Sequence, residues 1–423
     1  MNVNIEKLIY GGDGLAHHEG STVFVPYVLP GEVVTIVPTK WKKKFVRGLP
    51  ETIMTASPER IAAACPHFLA CGGCHYQQMG YESQLPYKEQ ILQETLRRIG
   101  KIDWTGPIAV HASPPWQYRN RAQWKVRDTD PPLVGYFRAG TTSVVDVESC
   151  PVLSPRLFGV LEEAKKLFAA GSLPPTLREV EAFVDDRDES LMLTLTLVKL
   201  APAVCARVEK VLTDVAGAQS LLFQDTNQNR MQLFGSGSLK YRVGDFDYRV
   251  SHFSFFQVNR FLAAELASCV AEAAGSGRLA LDLYSGVGLF SLPLGRQFER
   301  VIAVESNPVA VSDFKANAAA AGGAASGKFD SREADTLDFL RKLRERPQCV
   351  VLDPPRAGLG PEGAMRLAKL SPEKIIYVSC DPATLARDLA VLTAEGHAIS
   401  VVHLFDLFPQ TFHIESVVQL VRR

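Results

Sequence analysis

The clearest hydrophobic pattern lies from about residue 255 onward, where short apolar runs alternate with longer amphipathic segments. Polar residues follow each run at its carboxyl end, as expected for buried strands. The runs are Arg278–Tyr284, Val301–Glu305, Cys349–Asp353 and Lys374–Cys380. Strands that alternate with helices predict an α/β fold, with a mostly parallel sheet covered by helices on both faces. Ligands bind at the carboxyl ends of the strands in such sheets, and the chemical candidates fall there.

The beginning of the chain shows a different pattern, in which short strand-like runs are separated by glycine and proline. These runs occupy residues 4–10, 21–26 and 31–37 and predict the closely spaced strands of a small β-barrel. The middle of the chain is mixed, with a helical pattern at Tyr87–Ile99 and a strand-like run at Leu191–Val198.

We therefore predict three parts. They are an OB-like β-barrel at 1–52, a mixed central domain at 60–250 and an α/β domain at 251–423. The predicted site residues of the third part lie at its strand ends.

Two segments interleave basic and aromatic residues, as surfaces that bind phosphates and stack bases do. Lys40–Arg47 follows the barrel strands, and its alternative interpretation is a solvated hairpin tip. Tyr118–Arg127 places alternate basic residues on one face of a strand, and its alternative is an exposed strand with solvated charges. Both segments are candidate RNA-contacting surfaces.

Composition and charge narrow the class of protein only slightly. The 423 residues are 46% hydrophobic and 22% charged, as in ordinary globular proteins with more than one domain. Lys plus Arg and Asp plus Glu number 46 each, so any phosphate-binding surface must be a local patch. The sequence shows neither a signal-peptide pattern nor an apolar run long enough to cross a bilayer. We expect a cytoplasmic protein with no membrane association, and a monomer.

A glycine-containing turn predicts a cofactor pocket. Asp282–Gly288 joins a strand to a helix through two glycines, which allow a ligand to approach the backbone closely. Glu305 ends the next strand about 20 residues later, the spacing at which a carboxylate meets ribose hydroxyls. A dinucleotide fingerprint needs a third glycine, but Ser291 occupies that position. This favours S-adenosylmethionine, and the rigid loop Asp353–Arg356 would place a further carboxylate against a base or the cofactor.

Cys380 has a different context from the other cysteines of the apolar runs. It ends a strand and precedes Asp381 and Pro382, which are typical of a helix N-terminus. The partial positive charge of that terminus would favour a thiolate. A thiolate that adds to carbon 6 of uracil makes carbon 5 nucleophilic toward a sulfonium methyl group. Three further cysteines are assigned to the core, namely Cys205, Cys269 and Cys349.

The same chemistry needs a base that removes the proton from carbon 5, so that the thiol can leave. Glu415 lies beside apolar residues at the start of the last predicted strand, where desolvation would raise its pKa. His413 shares its face and is the rival base, although we predict a hydrogen-bonded core histidine there. Two alternatives are another methyl acceptor, such as cytosine or a protein side chain, and a non-catalytic RNA-binding protein. The cysteine at the helix start argues against amide methylation, and the presence of Cys380 and Glu415 argues against a non-catalytic role.

Four motifs together resemble those of the RNA 5-methyluridine methyltransferases. They are Phe255–Asn259, Asp353–Arg356, Ser379–Pro382 and His413–Glu415. The resemblance runs over nearly the whole chain, and the first residues are similar to a TRAM domain, an OB-like RNA-binding barrel. It implies a Rossmann-like methyltransferase domain in which Cys380 is the nucleophile and Glu415 is the proton acceptor.

The resemblance also implies a set of S-adenosylmethionine contacts. They are Gln257, Tyr284, Glu305 and Asp353. Gln257 would precede a helix at Arg260–Ala274 that Asn259 caps. Leu289 departs from the pattern, because the best-known ribosomal members have asparagine at this position, so one polar contact to the cofactor is expected to be missing.

A second group of cysteines has metal-ligand character. Cys65, Cys71 and Cys74 lie close together in sequence, and Cys150 lies far downstream, followed by Pro151. Zinc sites usually pair two Cys-x-x-Cys turns and only one is present, while a redox pair with two core thiols is the further alternative. The spacing resembles that of the [4Fe–4S] ligands in TRAM-bearing ribosomal-RNA members of the family, which implies a structural or RNA-orienting cluster. The same resemblance favours large-subunit ribosomal RNA as the partner, with transfer RNA as the alternative.

Overall fold

The glycine-separated runs at the start of the chain fold into one barrel-like sheet. The computed structural model describes residues 1–42, 44–322 and 327–423. The strands of this sheet are β1 (Asn2–Asn4), β2 (Lys7–Leu8), β3 (Asp13–His18), β4 (Ser21–Pro26), β5 (Val33–Lys42) and β6 (Phe45–Thr55). They pair in the order β1-β5-β6-β4-β3-β2 around buried aliphatic side chains such as Val23, Val25 and Val34.

The middle of the chain contributes a second sheet and two helices that pack on it. Two elements precede this sheet, helix α1 (Tyr81–Arg98) and strand β7 (Ile108–His111). The sheet and its helices are β8 (Arg121–Arg127), β9 (Leu133–Phe137), β10 (Val144–Asp146), α2 (Pro155–Ala169), β11 (Leu177–Val184), β12 (Leu191–Leu197), α3 (Pro202–Ala216), β13 (Ala218–Asp225) and β14 (Met231–Gly235). The strand order is β10-β9-β8-β11-β12-β13-β14, and α2 and α3 bury their apolar faces in one core with it.

The last part of the chain forms an eight-stranded sheet between two layers of helices. A hairpin of β15 (Ser238–Val243) and β16 (Phe246–Ser251) precedes it. The elements that follow are α4 (Ala263–Ala274), β17 (Gly277–Leu283), α5 (Ser291–Gln297), β18 (Phe298–Glu305), α6 (Pro308–Ala320), β19 (Phe329–Glu333), α7 (Thr336–Lys342), β20 (Cys349–Leu352), α8 (Gly360–Leu370), β21 (Lys374–Ser379), α9 (Pro382–Ala394), β22 (His397–Phe405) and β23 (Glu415–Arg422). The strand order is β19-β18-β17-β20-β21-β23-β22-β7. The predicted α/β class is confirmed, and only β23 runs antiparallel to its neighbours.

Strand β7 is an addition to this sheet that the sequence pattern does not predict. It pairs in parallel with β22 at the sheet edge, and α1 packs against α9. Both elements come from the segment 60–250, so part of this segment folds with the C-terminal sheet. The division into 1–52, 60–250 and 251–423 stays a prediction. No helix in the described ranges is both long and apolar enough to span a membrane.

Helix α4 begins later than the predicted Arg260. The regular helix starts at Ala263, and residues 260–262 form a turn before it. Asn259 nevertheless accepts hydrogen bonds at Oδ1 from the backbone N–H groups of Phe261 and Leu262, at 3.0 and 3.3 Å. Its Nδ2 donates to Leu407 O, which ties this turn to the loop after β22. The asparagine therefore organises the turn before the helix instead of capping the helix itself.

The strand predicted as a second RNA-contacting surface lies in the middle of the central sheet. Strand β8 pairs with β9 on one side and β11 on the other. Arg121 forms an ion pair with Glu181 at 3.0 Å, and Lys125 forms one with Glu179. The glutamates of β11 thus offset much of the positive charge of these two basic residues, and RNA contact by this strand stays a prediction.

Candidate active site

The predicted site residues meet at one edge of the C-terminal sheet. Tyr284, Asp353 and Cys380 directly follow the parallel strands β17, β20 and β21, and Glu305 ends β18. Parallel strands end at the same edge of a sheet, so these side chains are brought together. Strand β23 runs in the opposite direction and begins at Glu415, which places this carboxyl at the same edge.

The turn after β17 has the backbone form that its glycines predict. Gly286 and Gly288 have φ values of +54° and +96°, and Tyr284 also has a positive φ of +62°. A Cβ atom at Gly288 would lie 2.5 Å from the ring of Phe314. Glycine is therefore required at position 288 both by its backbone conformation and by the approach of α6.

A pocket opens beside this turn and contains three of the four predicted cofactor contacts. Its lining residues are Phe255, Phe256, Gln257, Tyr284, Ser285, Gly286, Val287, Leu289, Phe290 and Asp353. The buried Ser285 Oγ has no hydrogen-bond partner among the described residues, so the pocket presents an unused polar group. Leu289 contributes an apolar side chain to the wall, which agrees with the missing polar contact expected at this position.

Glu305, the fourth predicted contact, holds the turn in place. Its Oε2 accepts a hydrogen bond from the backbone N–H of Gly286 at 3.0 Å. Its Oε1 accepts from the N–H groups of Ser306 and Asn307, at 2.7 Å each. The carboxylate thus links the end of β18 to the floor of the pocket.

Asp282 is a site residue that the sequence analysis did not single out. The side chain is fully buried, and its Oδ2 accepts a hydrogen bond from Ser291 Oγ, the residue in place of a third glycine. Burial, opposed by the Ser291 hydrogen bond and aided by the charges of Asp353 and Glu305, raises the pKa of Asp282 to about 7. The strand-end aspartate could have been recognised from its position between an apolar run and the turn.

Cys380 lies where the sequence predicts but does not have the predicted thiolate character. Asp381 caps α9 by accepting from the N–H groups of Ala383 and Thr384, at 2.9 and 3.0 Å. Burial nevertheless raises the pKa of the Cys380 thiol to about 12, and the charge of Glu415 adds to this effect. Burial and nearby carboxyl groups therefore oppose the effect of the helix N-terminus on this thiol in the free site.

The other cysteines of the apolar runs differ in their environment. Cys205 and Cys349 are buried, as predicted for core thiols. Cys269 is only partly buried, on the side of α4 that faces the edge of the sheet. The assignment of Cys269 to the core is therefore only partly correct.

Glu415 is buried at the start of β23, and burial raises its pKa well above the usual range. The charge of Asp353 raises it further, and Glu415 Oε1 has no hydrogen-bond partner among the described residues. His413, the rival base, packs against Phe408 and Phe412, and burial lowers its pKa to about 3. A histidine that binds a proton so weakly is a poorer base than a carboxylate with a raised pKa.

The N-terminal sheet reaches into the same site. Tyr10, in the turn after β2, donates its hydroxyl to the backbone oxygen of Cys380 at 3.3 Å. Its ring packs edge-on against Phe412, with ring centroids 5.6 Å apart. Gly12 lies close to two aromatic side chains, because a Cβ atom at this position would come within 3.2 Å of Phe412 and 3.3 Å of His75. No local pattern predicts this contact, because 370 residues separate Tyr10 from Cys380.

The four clustered cysteines line a single pocket between the central sheet and the segment before α1. The pocket is bounded by Cys65, His67, Phe68, Cys71, Gly73, Cys74, Gln77, Tyr118, Arg119, Tyr136, Val147, Ser149, Cys150, Pro151 and Val152. Burial, together with the neighbouring thiols, raises the pKa of Cys74 to about 11 and that of Cys150 to about 12. The buried Nε of Arg119 has no hydrogen-bond partner among the described residues. Four soft ligands beside a cation with a free donor fit an anionic metal–sulfur group.

The fold and the strand-end pocket define a class, the S-adenosylmethionine-dependent methyltransferases. The crystal structure of the Pyrococcus abyssi tRNA (uracil-54, C5)-methyltransferase in complex with S-adenosyl-L-homocysteine aligns over 100% of both chains. The TM-score is 0.78 and the sequence identity is 26%.

Sequence comparisons give the family. The tRNA (uracil-5-)-methyltransferase family model matches residues 80–325 and 328–423, and the TRAM domain model matches 1–49. An uncharacterized RNA methyltransferase of Aquifex aeolicus is 34% identical over 99% of this chain and 98% of its own length. A 23S rRNA (uracil(1939)-C(5))-methyltransferase of Shewanella piezotolerans is 32% identical over 99% of this chain and 94% of its own. The chain belongs to the tRNA (uracil-5-)-methyltransferase family, carries an N-terminal TRAM domain, and is a methyltransferase, as the motifs imply.

Proposed function

We propose that this enzyme methylates carbon 5 of a uridine in RNA, with Cys380 as covalent nucleophile and Glu415 as base. One observation carries the proposal, the convergence of a thiol and two carboxyl groups at the site. The charges of Glu415 and Asp353 both raise the pKa of Cys380, so all three groups are close to one another. This combination suits a reaction that begins with the addition of a thiolate and ends with the removal of a proton.

In the proposed reaction, Cys380 forms and then breaks a bond to the base, and Glu415 accepts one proton. Cys380 Sγ bonds to carbon 6 of the uracil, and the electron pair of the 5,6 double bond moves into an enolate. S-adenosylmethionine, when bound, supplies an electrophilic methyl group, to which carbon 5 forms its new bond. Glu415 then takes the proton from carbon 5, the double bond forms again, and the bond between Cys380 and carbon 6 breaks. The bond between the methyl group and the cofactor sulfur would break as carbon 5 is methylated, so the products are the methylated base, S-adenosylhomocysteine, a protonated Glu415 and the original thiolate.

The raised pKa of Cys380 means that the thiol must lose its proton before it can add to the base. With a pKa of about 12, the thiol of the free site is protonated at neutral pH. Two nearby features favour its ionisation, the charge of Arg356 and the N-terminus of α9. Because thiolates rather than thiols are oxidised readily, a protonated Cys380 is also protected between turnovers.

The pocket beside the turn after β17 would hold S-adenosylmethionine. Gln257, Tyr284 and Asp353 line it, and Glu305 supports its floor through Gly286. The unused Ser285 Oγ fits a polar ligand, which would complete its hydrogen bonds. Asp353 lies both in this pocket and near Cys380, so the cofactor and the target base would meet beside it.

The four-cysteine pocket would hold a [4Fe–4S] cluster. Cys65, Cys71, Cys74 and Cys150 provide the thiolates, and Arg119 lies beside them with an unused buried donor. Methyl transfer needs no electron, so we assign the cluster a structural role. It would tie the segment before α1 to the central sheet and so fix the neighbouring RNA-binding surfaces.

The hairpin of β5 and β6 is the proposed first contact for RNA. Trp41 is 66% exposed, between the exposed Lys40 and Lys42, so a base can stack on its ring beside phosphate-binding charges. Lys43 lies outside the described residues. The contact of Tyr10 with Cys380 links this barrel to the site, where the target uridine would be flipped out of its stack.

Ribosomal RNA is the proposed substrate because the 23S rRNA relative covers 99% of the chain and the four cysteines match the resemblance. Transfer RNA is the second candidate, favoured by the whole-chain likeness to the Pyrococcus abyssi enzyme. Mass spectrometry of RNA nucleosides, mapped to position, separates the two in cells with and without the gene. Loss of 5-methyluridine from ribosomal RNA supports the proposal. Loss from transfer RNA overturns the assignment of ribosomal RNA as the substrate. No loss from either overturns the reaction.

The nucleophile is tested in the same cells by complementation with the Cys380→Ala variant. The proposal expects no restoration of 5-methyluridine, because the alanine cannot add to carbon 6. The Cys349→Ala variant is a matched control, since Cys349 is a buried thiol on the neighbouring strand with a pKa also raised to about 12. Recovery of 5-methyluridine with Cys380→Ala would overturn the covalent mechanism.

A further inference from the structure

Two histidines, a cysteine and a glutamate come together at the edge of the C-terminal sheet, away from the four-cysteine pocket. His111 ends β7, His403 lies on the adjacent β22, and Glu265 and Cys269 lie one turn apart on α4. The ligand atoms of His111, His403 and Cys269 all lie within 4.8 Å of one another. We propose that these three side chains bind a Zn²⁺ ion, with Glu265 as the residue that orients His111.

The distances are close to those that zinc requires. His111 Nε2 and His403 Nδ1 face each other at 2.9 Å. Two nitrogens bound to one tetrahedral Zn²⁺ lie about 3.3 Å apart, given Zn–N distances of about 2.0–2.1 Å. Small side-chain rotations therefore suffice to admit the ion. All three residues are partly exposed, so the ion can reach them from solvent.

Glu265 and Phe405 fix the orientation of His111. The carboxylate Oε1 lies 2.6 Å from His111 Nδ1, which makes Nδ1 the protonated nitrogen and directs the Nε2 lone pair toward His403 and Cys269. A carboxylate behind a histidine is the usual outer partner of a metal-bound imidazole. The ring of His111 also stacks on Phe405, with centroids 3.9 Å apart and an interplanar angle of 1°.

Protons and charges balance on binding. In the metal-free pair, His403 Nδ1–H donates to His111 Nε2. On binding, His403 moves its proton to Nε2, and the Cys269 thiol releases its proton to solvent as it becomes a thiolate ligand. The thiolate and the Glu265 carboxylate then offset the two positive charges of Zn²⁺, and a water molecule completes the tetrahedron.

The ligands come from distant parts of the chain and from three different elements. An ion held by them would fasten the short edge strand β7 to β22 and to α4. Since β7 continues toward the central sheet, the site would fix the direction in which the chain leaves the C-terminal sheet. We assign the metal a structural role, independent of the proposed methylation chemistry.

The test is Co²⁺ and Zn²⁺ titration of the purified full-length protein, with the four-cysteine site in its as-purified state. The proposal expects one equivalent of Co²⁺ with a tetrahedral visible spectrum and a thiolate charge-transfer band. It also expects displacement by Zn²⁺ and release of one proton per Zn²⁺. Zn²⁺ should also raise the melting temperature.

Single-residue variants test whether the metal ion binds at this cluster. Cys269→Ser should abolish the charge-transfer band, and His403→Ala should weaken binding at least tenfold. Glu265→Gln, at a 52% exposed side chain that the fold does not depend on, should weaken binding about 10- to 100-fold. His17→Ala is the matched control, because His17 Nδ1 also lies 2.8 Å from a glutamate, Glu6 Oε1. Equal binding by the wild type and Cys269→Ser, or no binding by the wild type, would overturn the site.

Discussion

Replacement of Glu415 by glutamine separates methyl transfer from product release. Glutamine keeps the shape of the side chain but cannot accept the proton from carbon 5. Glu415 is 3% exposed and its Oε1 has no partner among the described residues, so the neutral amide enters surroundings similar to those of a protonated carboxyl group. We therefore expect Glu415→Gln to fold with nearly unchanged stability.

The size of the effect follows from the two roles of Glu415. Loss of a general base costs a factor of about 10² to 10⁴ in turnover, or about 3–5 kcal/mol of transition-state stabilisation. Glutamine, like the protonated carboxyl group, carries no charge that could raise the pKa of Cys380, so formation of the bond to carbon 6 should not become slower. Methylated RNA should therefore accumulate while still bound to Cys380.

The assay uses purified Glu415→Gln enzyme, an RNA that contains the target uridine, and S-adenosylmethionine labelled in its methyl group. A denaturing gel should show a labelled protein–RNA band close to one per enzyme molecule, while free 5-methyluridine appears about 10²- to 10⁴-fold more slowly than with the wild type. The double variant Cys380→Ala/Glu415→Gln should show no such band, and Cys349→Ala/Glu415→Gln should retain it. Release of product by Glu415→Gln at close to the wild-type rate would refute the assignment of the base.

Three further predictions concern other parts of the molecule. Lys88→Met should lower the free energy of unfolding by about 3–5 kcal/mol in urea titrations, because Lys88 and Asp406 form a fully buried ion pair at 2.6 Å, and the double variant Lys88→Met/Asp406→Leu should recover most of the loss. Cys74→Ser should reduce the iron and acid-labile sulfide content of the purified protein, whereas Cys205→Ser, at a core thiol outside the cluster, should not; full iron content in Cys74→Ser would contradict the cluster. The stability of the cofactor-free protein should fall as the pH rises from about 4 to about 7, because the unfolded chain releases the proton of Asp282 near pH 4 and the folded chain retains it to about pH 7. Asp282→Asn should weaken this dependence of stability on pH, measured by thermal melts. An unchanged dependence would mean that other titrating groups cause it.

The sequence predicts the location of a site residue well when that residue directly follows a predicted strand. The apolar runs before Asp353 and Cys380 place both residues at the carboxyl edge of a sheet, and this placement follows from the alternation of strands and helices alone. Cys65, Cys71, Cys74 and Cys150 likewise reach one pocket, as their spacing and the family resemblance imply.

The electrostatics of the site could not be predicted in the same way. The pKa of Cys380 depends on how deeply the strand end is buried and on carboxyl groups from other strands, and neither is a local property. The helix N-terminus is visible in the sequence, whereas the burial and the carboxyl groups that oppose its effect are not. The pairing of β7 with β22 cannot be predicted from the sequence for a related reason, because an edge strand of four residues has no periodic pattern of its own.

The contact between the barrel and the nucleophile limits how this protein can have evolved. Tyr10 and Gly12 shape the wall around Cys380 and Phe412, so the barrel contributes to the proposed active site as well as to the proposed RNA-binding surface. In a TRAM domain taken from a relative, the turn that contains Tyr10 and Gly12 would have to match this wall. Exchange of barrels by recombination is therefore productive only where that turn is inherited together with its partners in the C-terminal sheet.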